Sequence, residues 1–377
     1  MAKLPELCEI QYGYAFDSAC FTENNTYLPL VRIRDVKRGY SETFYSGNYP
    51  SDYVIDSGSL LVGMDGEFNI ARWKGGHALL NQRVCKITAK EDVNEEYIRF
   101  ALSKALKKIE NRTAFVTVKH LSAKELNQLE IDVPNYTTQT DIAKVMTQIE
   151  SIISARQRQL QKLDELVKAR FIELFVATDE ASDWPYCTIA DVSNDMRTGP
   201  FGSALHHDEF VDSGVFVLGI DNAVENKFSY NRMRYITAEK YQALKRYTVY
   251  PGDVIITIMG TVGRSAVIPA DMPKAINTKH LACITPNVKM VNAQFLSCAF
   301  QVHPDIRAQL QKQCEGAIMD GLNLTIIKGL SFHIPPINLQ DWFVGFYEQV
   351  DKSKVAVQKA LDEAQLLFDS LMQKYFG

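Results

Sequence analysis

Residues 139–175 hold the feature that most restricts the fold of this chain, a long apolar stripe at heptad spacing. The stretch contains neither proline nor glycine, and Thr140 and Asp141 near its start favour the beginning of a helix. Its stripe consists of Ile149, Ile153, Leu160, Leu163, Val167 and Leu174. This spacing predicts a coiled-coil helix about 55 Å long. One helix cannot bury such a stripe by itself, so it needs a partner.

We predict that partner at the C-terminal end of the sequence. Gln139 and Gln340 differ by 201 positions (340 − 139 = 201), and this single offset aligns the two segments without a gap. The second stripe consists of Val350, Val357, Leu361, Phe368 and Leu371. Arg156, Arg170 and Lys354 fall on stripe positions, where we expect them to set the pairing register rather than to add stability.

Each long helix follows a segment with the same order of predicted elements. Residues 27–34 and 214–220 are predicted strands, and so are residues 59–64 and 251–260. Amphipathic helices are predicted at 95–110 and 292–300, and apolar alternation then stops at Pro134 and at Pro335. The order indicates an internal repeat. The alternative is chance similarity between two generic α/β domains.

The predicted fold class is α+β. Two similar α/β globular domains are separated by two long helices, which form an antiparallel coiled coil with a pseudo-twofold internal repeat. The predicted boundaries are 1–138 and 178–339 for the domains and 139–177 and 340–377 for the helices. Two similar globules held at a fixed separation suit a ligand with two separated half-sites, and duplex DNA is the obvious candidate.

Composition is that of a soluble globular protein, with 46% hydrophobic and 23% charged residues. The net charge of −4 gives no overall basic excess, so DNA binding would depend on local patches. The seven cysteines are scattered and are predicted to be reduced, mostly buried thiols of a cytoplasmic protein. No signal peptide or membrane span is expected.

No motif of a catalytic or metal site is found in the sequence. It lacks a phosphate-binding P-loop, a zinc-type His/Cys spacing and the short motif of adenine methyltransferases, so no metal or cofactor is predicted on this chain. The adjacent His206 and His207 are interpreted as loop polarity or a DNA contact. A nuclease-like grouping of Asp65, Glu67 and Lys74 is a weak alternative, because the second half of the chain keeps none of it.

Basic and aromatic residues cluster in predicted loops at comparable places in the two halves. Arginine and lysine hold phosphates, and arginine can also read guanine edges. The alternative for each is ordinary solvated surface charge. The candidate DNA-binding residues are Tyr14, Arg32, Arg34, Lys37, Arg38, Arg72, Lys74, Arg83, Arg197, Ser203, Arg232, Arg234, Arg264 and Lys279.

Several segments together resemble the specificity subunits of type I restriction-modification enzymes. They are the loops YGYAF (12–16) and TGPFGSAL (198–205), the stretch PGDVIITIMGTVGR (251–264), the ending before each long helix, and the duplicated order itself. The resemblance covers essentially the whole chain. It implies two target recognition domains, each reading one half of a bipartite DNA site, and a coiled coil that sets the unread spacer.

The resemblance also implies the partners. A specificity subunit has no catalysis of its own and binds two modification subunits, which transfer methyl groups from S-adenosylmethionine to adenine. Restriction subunits that use ATP and Mg²⁺ join the same complex. Base-reading residues cannot be carried over from the family, so the candidate residues rest on loop charge alone. The alternatives are a fused enzyme that reads and modifies DNA, and a cytosolic coiled-coil scaffold without a DNA role.

Overall fold

The computed structural model describes residues 1–112, 119–201, 204–315 and 322–377. The chain divides into two compact units. Unit 1 comprises Met1–Arg158 and Gln358–Gly377, and unit 2 comprises Gln159–Val357. Both boundaries fall inside the long helices, so each unit contains a globular segment, part of the central helix and part of the C-terminal helix.

Unit 1 contains short helices, an amphipathic helix and the first part of the central long helix. The helices are α1 (Leu4–Leu7), α2 (Ile33–Arg38), α3 (Glu95–Arg112), α4 (Ala123–Asn127) and α5 (Tyr136–Phe175). The strands are β1 (Ala2–Lys3), β2 (Cys8–Tyr12), β3 (Phe21–Thr22), β4 (Leu28–Val31), β5 (Phe44–Tyr45), β6 (Val54–Ile55), β7 (Leu60–Gly63), β8 (Ile70–Arg72), β9 (Ala78–Leu80), β10 (Val84–Ala89) and β11 (Glu130–Ile131).

The strands of unit 1 form three sheets. Strands β2, β10, β7 and β8 form an antiparallel sheet in that order, and β1 pairs with β11. The third sheet has the order β3-β5-β4-β9-β6, in which only β4 and β9 run parallel among the pairs. Helix α3 covers the antiparallel sheet with Tyr97, Ile98 and Leu102, all of which are buried.

Unit 2 continues from α5 and ends within the second long helix. Its helices are α6 (Ala238–Leu244), α7 (Ala293–Val302), α8 (Pro304–Glu315), α9 (Leu324–Gly329) and α10 (Ile337–Phe376), the last of which extends into unit 1. The strands are β12 (Tyr186–Thr188), β13 (Ser193–Thr198), β14 (Val215–Leu218), β15 (Tyr235–Ile236), β16 (Thr248–Val249), β17 (Val254–Thr257), β18 (Ser265–Val267), β19 (Ala275–Asn277), β20 (Leu281–Pro286) and β21 (Ser331–His333).

The sheets of unit 2 have an order that matches those of unit 1. The antiparallel sheet has the order β13-β20-β17-β18, and β12 pairs with β21. The remaining sheet has the order β15-β14-β19-β16, with β14 and β19 parallel. In both units the parallel pair therefore sits inside an otherwise antiparallel sheet. The order of elements predicted for each half is present.

The long helices bury the predicted stripes. All eleven stripe residues are buried or half-buried, whereas most neighbours on the other faces are exposed. Within unit 1, Met146 of α5 and Met372 of α10 share one core cluster with Phe100. Within unit 2, the rings of Phe171 and Phe343 lie 5.4 Å apart. Each unit thus packs a segment of one long helix against a segment of the other.

Three sequence predictions are corrected by the structure. The strand predicted at 27–34 ends at Val31, because the Asp35 carboxylate accepts a hydrogen bond from the backbone of Arg32 at 3.0 Å and starts α2. As a result, Arg34, Lys37 and Arg38 lie on a helix rather than in a loop. The central helix begins at Tyr136, before Thr140, because the side chain of Asn135 accepts a hydrogen bond from Thr138 N at 2.9 Å.

The cysteine prediction holds for the six thiols that the structure describes, which are free. Four of them are buried and two are half-buried. Burial raises the pKa of the Cys85 and Cys298 thiols to about 12, so both stay protonated at neutral pH. Within the described ranges, none of the helices combines the length and hydropathy needed to cross a bilayer.

Candidate nucleic-acid interface

The parallel strand pair of unit 1 brings the basic start of helix α2 and an aromatic loop to one edge. Val31 pairs with Leu80, so the residues that follow β4 and β9 emerge side by side, and Arg32 comes first after β4. The loop after β2 packs on the same edge, where Tyr14 N donates to Leu80 O at 2.9 Å. A Cβ at Gly13 would collide with the Asn81 carbonyl, so this close approach requires glycine.

Unit 2 has the same arrangement at its parallel pair. Leu218 pairs with Asn277, and Thr278 N donates to Leu218 O at 2.9 Å. A Cβ at Gly199 would collide with the backbone of Asn277 and Thr278, as at Gly13. The aromatic loop presents Phe201 two residues after Gly199, and Phe201 is exposed, as Tyr14 is after Gly13. Ser203, a predicted site residue, lies outside the described residues.

In both units a turn that contains a glycine is held against the edge of the parallel strand pair by a matching backbone hydrogen bond. In unit 1, Met64 N, before Gly66, donates to Arg83 O at 2.9 Å. In unit 2, Ile258 N, before Gly260, donates to His280 O at 2.9 Å. Arg83 and His280 are therefore fixed at equivalent places by the backbone, which leaves their side chains free to differ.

The edge of unit 1 carries a small charged cluster around Asp65. Arg83 Nε lies 3.4 Å from Asp65 Oδ2, and His120 Nδ1 hydrogen-bonds to the other carboxylate oxygen. Arg83 is half-exposed and can turn toward a phosphate without leaving its carboxylate buried and alone. Arg32, which directly follows β4 at the same edge, is exposed. This edge offers two arginines, an imidazole and the Tyr14 ring.

The edge of unit 2 contains a basic cleft of about 410 Å³. It is lined by His207, Phe210, Gly219, Ile220, Asp221, Arg232, Arg234, Thr278 and His280. Arg234 Nη2 donates to Asp221 Oδ2 at 2.5 Å, whereas Arg232 and the adjoining Lys279 are exposed. Burial, Lys279 and Arg234 lower the pKa of His280, so its ring is neutral at pH 7 and can both donate and accept. The cleft has the charge to hold a phosphate and the donors to read a base edge.

Comparison with known proteins finds similarity to one family. Residues 1–165 match the family model described as the type I restriction modification DNA specificity domain. The specificity subunit of the type I restriction enzyme EcoBI from Escherichia coli is 28% identical over 402 residues, which span 99% of this chain and 84% of that protein. The specificity subunit of the MjaVIII enzyme from Methanocaldococcus jannaschii is 18% identical over 62% of this chain and 57% of its own length.

The chain is a homologue of the type I restriction-modification specificity subunits. The fold agrees. The crystal structure of the S subunit from M. genitalium has a TM-score of 0.60 and 15% identity, with 100% of this chain and 95% of that chain covered. A chain from a solved type I R-M system has a TM-score of 0.56 and 16% identity, covering 100% and 96%. Both named relatives are specificity subunits, the class of protein that the sequence analysis named.

Not all predicted site residues of this specificity-subunit homologue reach the two edges as free cations. Arg72 donates to Glu95 at 2.8 Å and to Glu96, and so ties β8 to α3. Arg197 pairs with the buried Asp253 and with Asp195 at 2.7 Å. The two side chains are 34% and 11% exposed, and each is paired with carboxylates of its own unit.

Four other predicted residues of unit 1 lie on or beside α2. Arg34, Lys37 and Arg38 are exposed and have carboxylate neighbours at 3.7, 4.0 and 3.8 Å, of which only that of Asp35 is buried. Lys74 is exposed beside the end of α2, where its backbone N donates to Gly39 O at 3.2 Å. These interactions are weak in water and leave the four cations available to DNA. In unit 2, Arg264 is exposed after the Gly263 turn.

Sequence reasoning missed His120 as a member of the unit 1 edge. His207, which it interpreted as loop polarity or a DNA contact, lines the unit 2 cleft. His280 had a signal in the sequence, because Asn81 and Asn277 follow equivalent predicted strands and basic residues come shortly after each. His120 comes from a segment far along the chain, so only the fold joins it to Asp65. Among the described residues, no group of three or more His, Cys, Asp or Glu side chains is arranged to hold a metal ion.

Proposed function

We propose that this chain is the DNA-reading subunit of a type I restriction-modification complex, and that each unit reads one half of a bipartite target. The observation that carries the proposal is the matching edge in each unit, where a glycine/aromatic loop meets basic residues beyond a parallel strand pair. Tyr14, Arg32 and Arg83 would contact one half-site. Arg232, Lys279 and His280 would contact the other.

The two long helices would form an antiparallel coiled coil that sets the spacer between the half-sites. The burial of both heptad stripes supports this pairing. Within unit 2, Lys354 Nζ donates to Asp164 Oδ1 at 2.6 Å, and the guanidinium of Arg170 stacks on Trp342 at 4.7 Å. Stripe cations therefore have specific partners on the opposite helix, which is the arrangement expected of register-setting residues. The matching sheet orders support an internal repeat.

Two modification subunits would dock on the outer faces of the long helices, and restriction subunits would join through them. These faces expose apolar side chains that nothing in the described chain covers, among them Ile152, Leu166, Val355, Leu366 and Leu367. S-adenosylmethionine, ATP and Mg²⁺ would be bound by the partners. The complex would act in the cytoplasm. A scaffold without a DNA role is disfavoured by the family to which the chain is related.

Methylome sequencing tests the proposal. Cells carrying this chain with its modification subunit should gain methylated adenines in a split motif with a fixed gap, and cells with the modification subunit alone should not. Replacing residues 1–138 with the first domain of another specificity subunit should change one half of the motif only. Unchanged adenine methylation in cells where the assembled complex is recovered would overturn the proposal.

A further inference from the structure

One loop of unit 2 runs from the basic cleft to the long helix α10 and back. We define the recognition loop as residues 219–234. Its two ends line the cleft, with Asp221 at the first and Arg232 and Arg234 at the second. Asn222 is fully buried and closes the loop internally, since its Oδ1 accepts from Gly219 N at 2.8 Å and its Nδ2 donates to Ser229 O at 2.7 Å.

The middle of the recognition loop rests on two helices. Gln301 Nε2 of α7 donates to the backbone oxygen of Asn226 at 3.3 Å. Lys227 Nζ donates to both carboxylate oxygens of Asp351 on α10, at 2.8 and 2.9 Å. Asn226 has φ +59°, a left-handed conformation that asparagine tolerates better than most residues. The loop is therefore held at its middle, away from the cleft.

The equivalent acid of unit 1 has a different partner. Glu150 precedes Asp351 by the helix offset (351 − 150 = 201) and pairs with Arg99 of α3, at 3.1 and 2.6 Å. Asn94 and Asn292 start the two amphipathic helices and differ by 198 positions, and the same offset places Ser297 of α7 over Arg99. Serine cannot neutralise the carboxylate, and in unit 2 the recognition loop supplies the cation instead.

We propose that the Lys227–Asp351 ion pair positions the recognition loop, so that helix α10 sets the shape of the cleft through which unit 2 reads its half-site. This inference rests on the proposed function. Lys227 and Asp351 are positioning residues, because the contacts to DNA would come from Arg232, Arg234 and their neighbours. In unit 1 the equivalent acid, Glu150, holds helix α3 and not a loop at the edge. We therefore expect the ion pair to affect recognition of the unit 2 half-site only.

The substitution Asp351→Asn distinguishes loss of loop positioning from the general effect of net charge on DNA affinity. It removes a negative charge, and general electrostatics alone would leave DNA affinity unchanged or raise it. Loss of loop positioning should instead weaken binding to the methylome-defined duplex by about threefold, in line with a partly exposed ion pair. Fluorescence anisotropy with the full chain measures this. Asp362→Asn is the matched control, since Asp362 lies on α10 and accepts only an intrahelical hydrogen bond from Gln358 among the contacts described.

Two further arms complete the test. The loss of affinity should vanish on a duplex whose unit 2 half-site is scrambled, and the exchange of charges in Lys227→Asp with Asp351→Lys should restore binding. Tighter or equal binding by Asp351→Asn, an equal loss on both duplexes, or no recovery in the exchanged pair would overturn the inference alone. A wild-type chain with no preference for the target duplex would overturn the proposed function as well.

Discussion

The side-chain oxygen of Gln139 accepts a hydrogen bond from the backbone nitrogen of Asn94 at 2.8 Å. Its amide nitrogen donates to Pro134 O at 2.9 Å. Gln340 repeats both bonds in unit 2, with Asn292 N and Pro335 O, each at 2.8 Å. Both glutamines are buried, so each long helix is fixed to its globular segment by a fully bonded amide at its first turn.

Replacement of either glutamine by methionine should destabilise its own unit. Methionine keeps the volume but leaves buried backbone groups unpaired, which costs about 1 to 3 kcal/mol per site. Chemical denaturation of Gln139→Met and Gln340→Met measures the loss of stability. Gln161→Met is the control, because Gln161 is exposed and bonds only to Glu165 in the described contacts. Equal stability of all three variants would contradict a fixing role.

The long helices should tolerate a new charge on their exposed faces but not on the heptad stripe. Leu160→Asp and Leu361→Asp place a carboxylate on half-buried stripe positions and should each lower the free energy of unfolding by about 2 kcal/mol. Leu166→Asp and Leu367→Asp are matched controls on exposed positions and should change stability little. Thermal melts compare the four. The coiled-coil proposal fails if the stripe variants melt with the controls.

Removal of the exposed cations of the unit 2 edge should reduce the salt dependence of DNA binding. In the double variant Arg232→Ala/Lys279→Ala, the slope of log K against log salt should become shallower by about one for each DNA phosphate that the variant no longer neutralises. Titrations at several salt concentrations measure the slope. Lys289→Ala/Lys312→Ala removes equal charge from exposed residues that do not line the cleft. An identical slope in both double variants would place the phosphate-binding residues elsewhere.

Arg197 should behave as a structural residue. Its side chain is 11% exposed and that of Asp253 is 1% exposed, so Arg197→Ala leaves a buried carboxylate without its cation. We expect the free energy of unfolding to fall by about 3 kcal/mol. Arg264→Ala, at an exposed arginine, should leave stability unchanged. Urea titration of the two variants distinguishes a structural arginine from a surface one.

Acid should weaken unit 2 through His303. Burial and the nearby His333 lower the pKa of His303, while Asp305 acts in the opposite direction. The unfolded chain takes up a proton as pH falls below about 6.5, before the folded chain does, so stability decreases as pH falls toward and through the folded pKa. His303→Gln cannot titrate and should show a smaller decline in melting temperature between about pH 7.5 and 5.5. His206→Gln, at an exposed position, should follow the wild type.

The sequence allowed the long helices and the order of strands to be predicted because both depend on local periodicity. Leu160 and Leu361 belong to heptad patterns that are visible in the sequence without knowledge of any tertiary contact. The ends of individual strands and helices were harder to predict. Whether residues 32–38 form a strand or a helix depends on one capping carboxylate, Asp35, which propensity alone does not reveal.

The candidate site was only partly predictable for a similar reason. Loop charge pointed to Arg32, Arg83, Arg232 and Lys279, which the structure places at or beside the two edges. Charge could not separate these from Arg72 or Arg197, because Glu95 and the buried Asp253, which pair with them, lie far away in the sequence. Where both partners of an interaction are remote in sequence, only the fold decides between an ion pair and a free cation.

The division of the chain into units has a consequence for biosynthesis. Unit 2 is one uninterrupted stretch, Gln159–Val357, and its contacts are all available once that stretch has left the ribosome. Unit 1 includes Gln358–Gly377, and the ring of Phe376 lies 5.2 Å from that of Tyr97 in its core. Unit 1, which begins before unit 2 in the chain, is therefore completed after it. During synthesis, part of the apolar surface of unit 1 stays uncovered until the turns of α10 around Phe376 emerge.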